Sequence, residues 1–173
     1  ADKLRTLEPV EKITFGFVLS SLFYHFTGAG LMGLFLAVPQ INFYAHGTFL
    51  TSAHAHLALF GVFGFLALGF SLRIIAINTK PTKEFFHYTY LAVALLNLGL
   101  LIMGIALGLA GIVQTYLWRV AGWEFMEVAQ VIRPYLLLRA IGGLILTAGD
   151  LLLCCTMAVL IWKNKTHFFQ IPP

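Results

Sequence analysis

Three histidines, His46, His54 and His56, stand together in the stretch FYAHGTFLTSAHAHLALFGVFGFLALGF at residues 43–70, where almost nothing else can ionise. A neutral imidazole is a strong axial ligand to haem iron, and burial favours the neutral form that ligation needs. One alanine separates His54 from His56. Residues two apart on a helix point about 200° apart around its axis. The pair is therefore ill suited to grip one metal ion and well suited to serve two centres on opposite faces. The competing reading makes both packing residues, because imidazoles in a nearly charge-free helix need hydrogen-bond partners or metals to offset desolvation.

The elements that must position these side chains are membrane helices. The chain has 173 residues, 60% of them hydrophobic and 10% charged, and its mean hydropathy is +0.88. Its apolar residues fall into four runs of spanning length, about 13–38, 51–77, 87–118 and 131–162. About 22 residues at 1.5 Å each cross a hydrocarbon layer of about 30 Å. The expected fold is an all-α integral membrane protein with four transmembrane helices, forming a single membrane domain or a piece of a larger one. The net charge of +4 comes from dispersed residues that mostly flank the apolar runs, so no nucleic-acid partner is expected.

Lys3, Arg5 and Lys12 precede the first span, Lys80 and Lys83 lie between the second and third, and Lys163 and Lys165 follow the fourth. Residues 40–50 carry no Lys or Arg, and Arg119 is opposed by Glu124 and Glu127. The positive-inside rule puts both termini in the cytoplasm and His46, His54 and His56 towards the outer face. The opening ADKLRTLEPVEK has no short apolar region with a small-residue cleavage site, and no secretory signal peptide is expected.

Several other residues have two readings each. Arg133 and Arg139 can neutralise anionic groups near the outer side or snorkel to the headgroups. Asp150, midway along the fourth span, can assist proton movement or take a buried hydrogen bond. His25 reads as a packed polar residue, His87 as a cytoplasmic helix start and His167 as part of a tail. Cys154 and Cys155 read as small core residues. Gly28, Gly30, Gly33, Gly61, Gly64 and Gly69 suit close helix packing, or space beside a planar cofactor.

The run GAGLMGLFLAVPQINFYAHGTFLTSAHAHLALFGVFGFLALG resembles the segment that leads into the tenth helix of the large catalytic subunit of respiratory nitric oxide reductase, within the haem-copper oxidase superfamily. AGIVQTYLWRVAGWEF and RAIGGLILTAGDLLL resemble its eleventh and twelfth helices. The likeness covers nearly the whole chain and implies the last four helices of a twelve-helix haem-copper oxidase-like subunit. It implies that His54 is the proximal ligand of high-spin haem b3 and His56 an axial ligand of low-spin haem b. His46 would meet a haem propionate or remain a plain interfacial histidine, and Arg133 and Arg139 would face the propionates, where calcium is a further candidate.

The same resemblance assigns three histidine ligands of a non-haem iron, FeB, the other axial ligand of haem b and nearby glutamates to sequence that cannot be mapped here. This chain alone is expected to be inactive. It would work with the remaining part of the catalytic subunit, a cytochrome c subunit or quinol as electron donor, and nitric oxide, in a bacterial inner membrane. An oxygen-reducing cbb3-like relative, or a non-enzymatic haem-carrying assembly protein, are the alternatives.

Overall fold

The computed structural model describes residues 7–165. Lys3, Arg5 and His167 lie outside them. The described residues form an all-α bundle with four helices long and apolar enough to cross a membrane: α1 (Pro9–Ala37), α3 (Phe49–Ile77), α4 (Lys83–Val120) and α5 (Phe125–Lys163). A short helix, α2 (Pro39–Ala45), joins the first two spans.

Local chemistry explains where each helix starts. Pro9 occupies the first turn of α1, and Glu8 and Glu11 form a reciprocal capping box there, with the Glu8 amide donating to Glu11 Oε2 at 3.0 Å. Val38 is extended (φ −72°, ψ 119°) before Pro39, which ends α1 and opens α2. Gly47 takes a positive φ of 75°, and Thr48 then caps α3 by accepting from the Leu50 amide at 3.4 Å. Thr82 caps α4, accepting from the Phe85 amide at 3.3 Å. α5 begins at Phe125, six residues before the apolar run at Val131, because Glu124 supplies an extended lead-in and Glu127 places an acidic group in the first turn.

Packing follows chain order. α4 and α5 share the most extensive interface, α3 lies against α4, and α1 lies against the second half of α3. Small residues bring α4 and α5 together: a Cβ on Gly142 would sit 2.7 Å from the Met103 backbone nitrogen and 2.9 Å from the Gly99 carbonyl oxygen. Such close approach drives association in lipid, where apolar burial alone gives little advantage. Phe17, Tyr24, Phe65, Leu72, Leu96, Leu100 and Leu153 form the core where the helices meet. Gly61 and Gly69 admit the rings of Tyr24 and Phe17, so both serve close packing.

Large apolar side chains also cover the outside, including Phe26, Leu34, Phe63, Leu144 and Trp162. That surface suits lipid or further apolar helices rather than water. Three expectations need correction. Cys154 and Cys155 are exposed free thiols rather than core residues. His25 is exposed, because the helix widens into a π turn from His25 to Leu31 and α3 packs on its Gly28 side. Asp150 is half-buried and has no hydrogen-bond partner among the described residues, because it lies beside rather than on the α5 face that meets α4.

Candidate functional site

The site is built on the first turns of α3, which are held from two sides. Gln114, buried near the end of the regular part of α4, accepts the Phe49 amide at Oε1 (2.9 Å) and satisfies one of the helix's orphan donors. Leu50 packs directly on Gly111, with no room for a side chain there. These contacts fix both the depth and the rotation of the turns that carry His54 and His56.

His54 reaches across to α1. Its Nδ1 lies 2.8 Å from the Gly28 carbonyl oxygen. The π turn prepares that acceptor: the Met32 amide bonds to Thr27 and Ala29 instead of Gly28, a shift that often accompanies function. A Cβ on Gly33 would come within 3.0 Å of His54 Cε1, so the ring occupies the space a side chain would take. The two glycines therefore give the imidazole its seat, one by its carbonyl and one by its missing Cβ.

His56 is held within its own helix, its Nδ1 lying 2.7 Å from the Ser52 carbonyl oxygen. A carbonyl can only accept, so Nδ1 donates in both rings, and in the neutral imidazole the lone pair then sits on Nε2. This is the tautomer required of an Nε2 metal ligand, with the backbone carbonyl as its orienting partner. Residues 49–58 are regular α-helix, so the two side chains leave the axis about 200° apart. A recess of about 390 Å³, lined by Met32, Phe35, Ile41 and Leu50 among others, opens one helical turn before His54. His54, Gly28 and Gly33 do not line this recess, and Nε2 is the ring atom of each histidine that could hold a metal.

The remaining candidates are not gathered around this pair. His46 ends α2, is exposed, and bonds only through its backbone amide to Asn42 (2.8 Å). Arg133 and Arg139 are exposed on α5 and make no hydrogen bond or ion pair with a described residue. Ile132 packs near Phe49 in a small cluster, which sets Arg133 at the same end of the bundle as the start of α3. Among the described residues no three His, Cys, Asp or Glu side chains converge as a metal site. Sequence reasoning missed the Gly28 and Ser52 carbonyls; a helical i−4 relation signals the second, and no side-chain pattern signals the first.

Fold and site together define a multi-pass helical membrane protein with imidazole donors on two sides of one span. The chain belongs to the cytochrome c and quinol oxidase polypeptide I family, whose model matches residues 4–145, and so to the haem-copper oxidase superfamily. It is 28% identical over 132 residues to a nitric oxide reductase subunit of Stutzerimonas stutzeri, covering 72% of this chain and 28% of that protein. It is 25% identical over 175 residues to a cytochrome c oxidase subunit 1 homolog of Azorhizobium caulinodans, covering 95% of this chain and 30% of that protein. A bacteroid homolog from Bradyrhizobium diazoefficiens is 27% identical, over 94% of this chain and 29% of its own length. The chain thus spans less than a third of the length of these curated relatives.

Proposed function

We propose that this chain is the haem-binding part of a respiratory nitric oxide reductase and corresponds to the last four helices of its twelve-helix catalytic subunit. One observation carries the reading: His54 and His56 each give the Nδ1 proton to a backbone carbonyl, at 2.8 and 2.7 Å, and keep the Nε2 lone pair available on different faces of α3. A packing histidine also takes such a partner; what favours ligation is that both rings leave Nε2, rather than Nδ1, unbonded on two faces of one helix.

His54 Nε2 would hold the iron of haem b3, and His56 Nε2 would hold the iron of haem b. Bound haem and FeB would supply the electron-transfer and NO-binding chemistry for a reaction in which two NO, two electrons and two protons become N2O and water. The chain's own part is to orient. The Gly28 carbonyl fixes the His54 ring plane, Gly33 leaves it space, and the Gln114 clamp keeps α3 from sliding. His46, Arg133 and Arg139 would meet propionates on the outer side, where calcium is a further candidate. The FeB ligands and the second haem b ligand come from the remaining part of the catalytic subunit, and electrons from a cytochrome c subunit or quinol. The assembly sits in a bacterial inner membrane with both termini of this chain cytoplasmic, and the chain alone is inactive.

A second reading, reduction of oxygen at a copper-containing site, draws on alignments to two cytochrome c oxidase subunit 1 homologs that cover 94–95% of this chain, against 72% for the nitric oxide reductase relative. A redox absorption spectrum of the native complex, with iron and copper quantified, separates the readings. Two b-type haems, one further iron and no copper support the reductase; copper in place of that iron supports the oxidase; absence of haem removes both.

A further inference from the structure

A groove of about 620 Å³ opens between the first turns of α4 and the last turns of α5, at the opposite end of the bundle from His54. Its walls include Phe85, Leu152, Val159 and Leu160, and its rim carries Lys80 and Lys163 together with Glu84. The rim is built rather than accidental. The Lys80 amide donates to Asn164 Oδ1 at 3.2 Å, and Asn164 Nδ2 donates to the Leu160 carbonyl at 2.9 Å. This clasp ties the α3–α4 loop to the end of α5 and brings Lys80 and Lys163 to the rim of the same apolar trough, with Glu84 close enough to Lys163 to interact with its charge.

Two dimensions match a membrane lipid. Leu152 and Lys163 are eleven residues apart on one helix, or about 16 Å along its axis, close to half of a hydrocarbon layer of about 30 Å. Trp162 is 74% exposed and the Lys165 ammonium lies 5.1 Å from its ring, an arrangement that marks headgroup depth. The groove therefore runs from headgroup level towards mid-membrane, cationic above and apolar below. A soluble anion would leave the trough unfilled, and a protein helix would leave two ammonium groups without counter-charge beyond Glu84.

We propose that this groove binds an anionic phospholipid, its phosphate against Lys80 and Lys163 and one acyl chain along Leu152 and Val159. Selectivity comes from the placement of the lysines over the trough, since Glu84 on the same rim reduces the local field. The site is independent of the haem ligands and of the reading built on them.

The test uses the native complex containing this chain, reconstituted in nanodiscs of phosphatidylcholine and phosphatidylglycerol, with retained lipid counted by native mass spectrometry. The double variant K80Q/K163Q lowers apparent phosphatidylglycerol affinity roughly tenfold to thirtyfold, as expected for two lysines near a membrane surface, while K80R/K163R retains it. V159W, which fills the trough and leaves the charge intact, also releases the lipid, so the result does not hang on one variant. Unchanged retention in K80Q/K163Q and V159W overturns the proposal. So does equal retention of phosphatidylcholine, or capture of a protein instead of lipid by a photoreactive group at Tyr88, which also lines the groove.

Discussion

Gly142 and Gly143 are neighbours on α5 with opposite surroundings, and substituting each by alanine measures what the helix contact contributes. A Cβ on Gly142 would lie 2.7 Å from the Met103 nitrogen and 2.9 Å from the Gly99 oxygen, whereas one on Gly143 would have nothing within 4 Å. Both clashing atoms are backbone, so no rotamer relieves them. Ordinary contact begins near 3.4 Å, and α4 must retreat from α5 by about 0.7 Å at this point. Overpacking of this kind costs about 1–3 kcal/mol. Alanine also gains about 0.5–1 kcal/mol over glycine in helix propensity at either position. G143A should thus be neutral or slightly stabilising, and G142A should fall below it by about 1–3 kcal/mol. The assay is thermal loss of the monodisperse peak in size-exclusion chromatography, for the native complex in mild detergent at one heating rate. Equal behaviour of the two variants would refute the packing argument, because only their surroundings differ.

Replacing Gln114 by leucine strands the Phe49 amide inside the bundle and should cost about 1–3 kcal/mol, read as a lower melting temperature, with broadening of any haem spectrum as α3 loosens. G33A asks the His54 ring to yield by a few tenths of an ångström and should keep high-spin haem with a shifted absorption maximum, while G33L should displace the ring and lose that signal; identical spectra for G33L and the parent would contradict the seat assigned to His54. Ser21 Oγ donates to the Val62 carbonyl at 3.0 Å in the α1–α3 interface, so S21A should destabilise by about 0.6 kcal/mol, the average for such bonds between membrane helices. A larger loss would mean that Ser21 does more than join two helices.

The four spans are legible in the sequence because each is a near-continuous apolar run of membrane length, and hydropathy responds to little else. Their ends are less legible. Pro9 and the Glu8–Glu11 box carry α1 beyond the apolar boundary at Ile13, and the turns from Phe125 to Gln130, where Glu127 and Gln130 interrupt the apolar residues, extend α5 above Val131. Helix continues there through capping in α1 and an acidic first turn in α5, to which a hydropathy run is blind. The π turns at His25–Leu31, Leu59–Gly64 and Thr115–Val120 leave no period in the residues. Two-faced presentation of His54 and His56 follows from spacing alone. Their hydrogen-bond partners do not, because a backbone carbonyl has no residue identity and Gly28 meets His54 only through the register of two helices. Asp150 and the two cysteines escape sequence reading for a related reason: depth along an apolar helix can be read from sequence, but the face that meets a neighbour cannot when the helix is apolar all round.

The two-haem assignment is tested head-on by the reduced-minus-oxidised absorption spectrum, with high-spin and low-spin signals resolved, of native complexes carrying His54→Ala or His56→Ala. Loss of the high-spin haem signal in the first variant, with much of the low-spin signal spared, and the reverse in the second, is the expected result. Unchanged spectra in both variants would contradict the assignment and return the two histidines to a packing role.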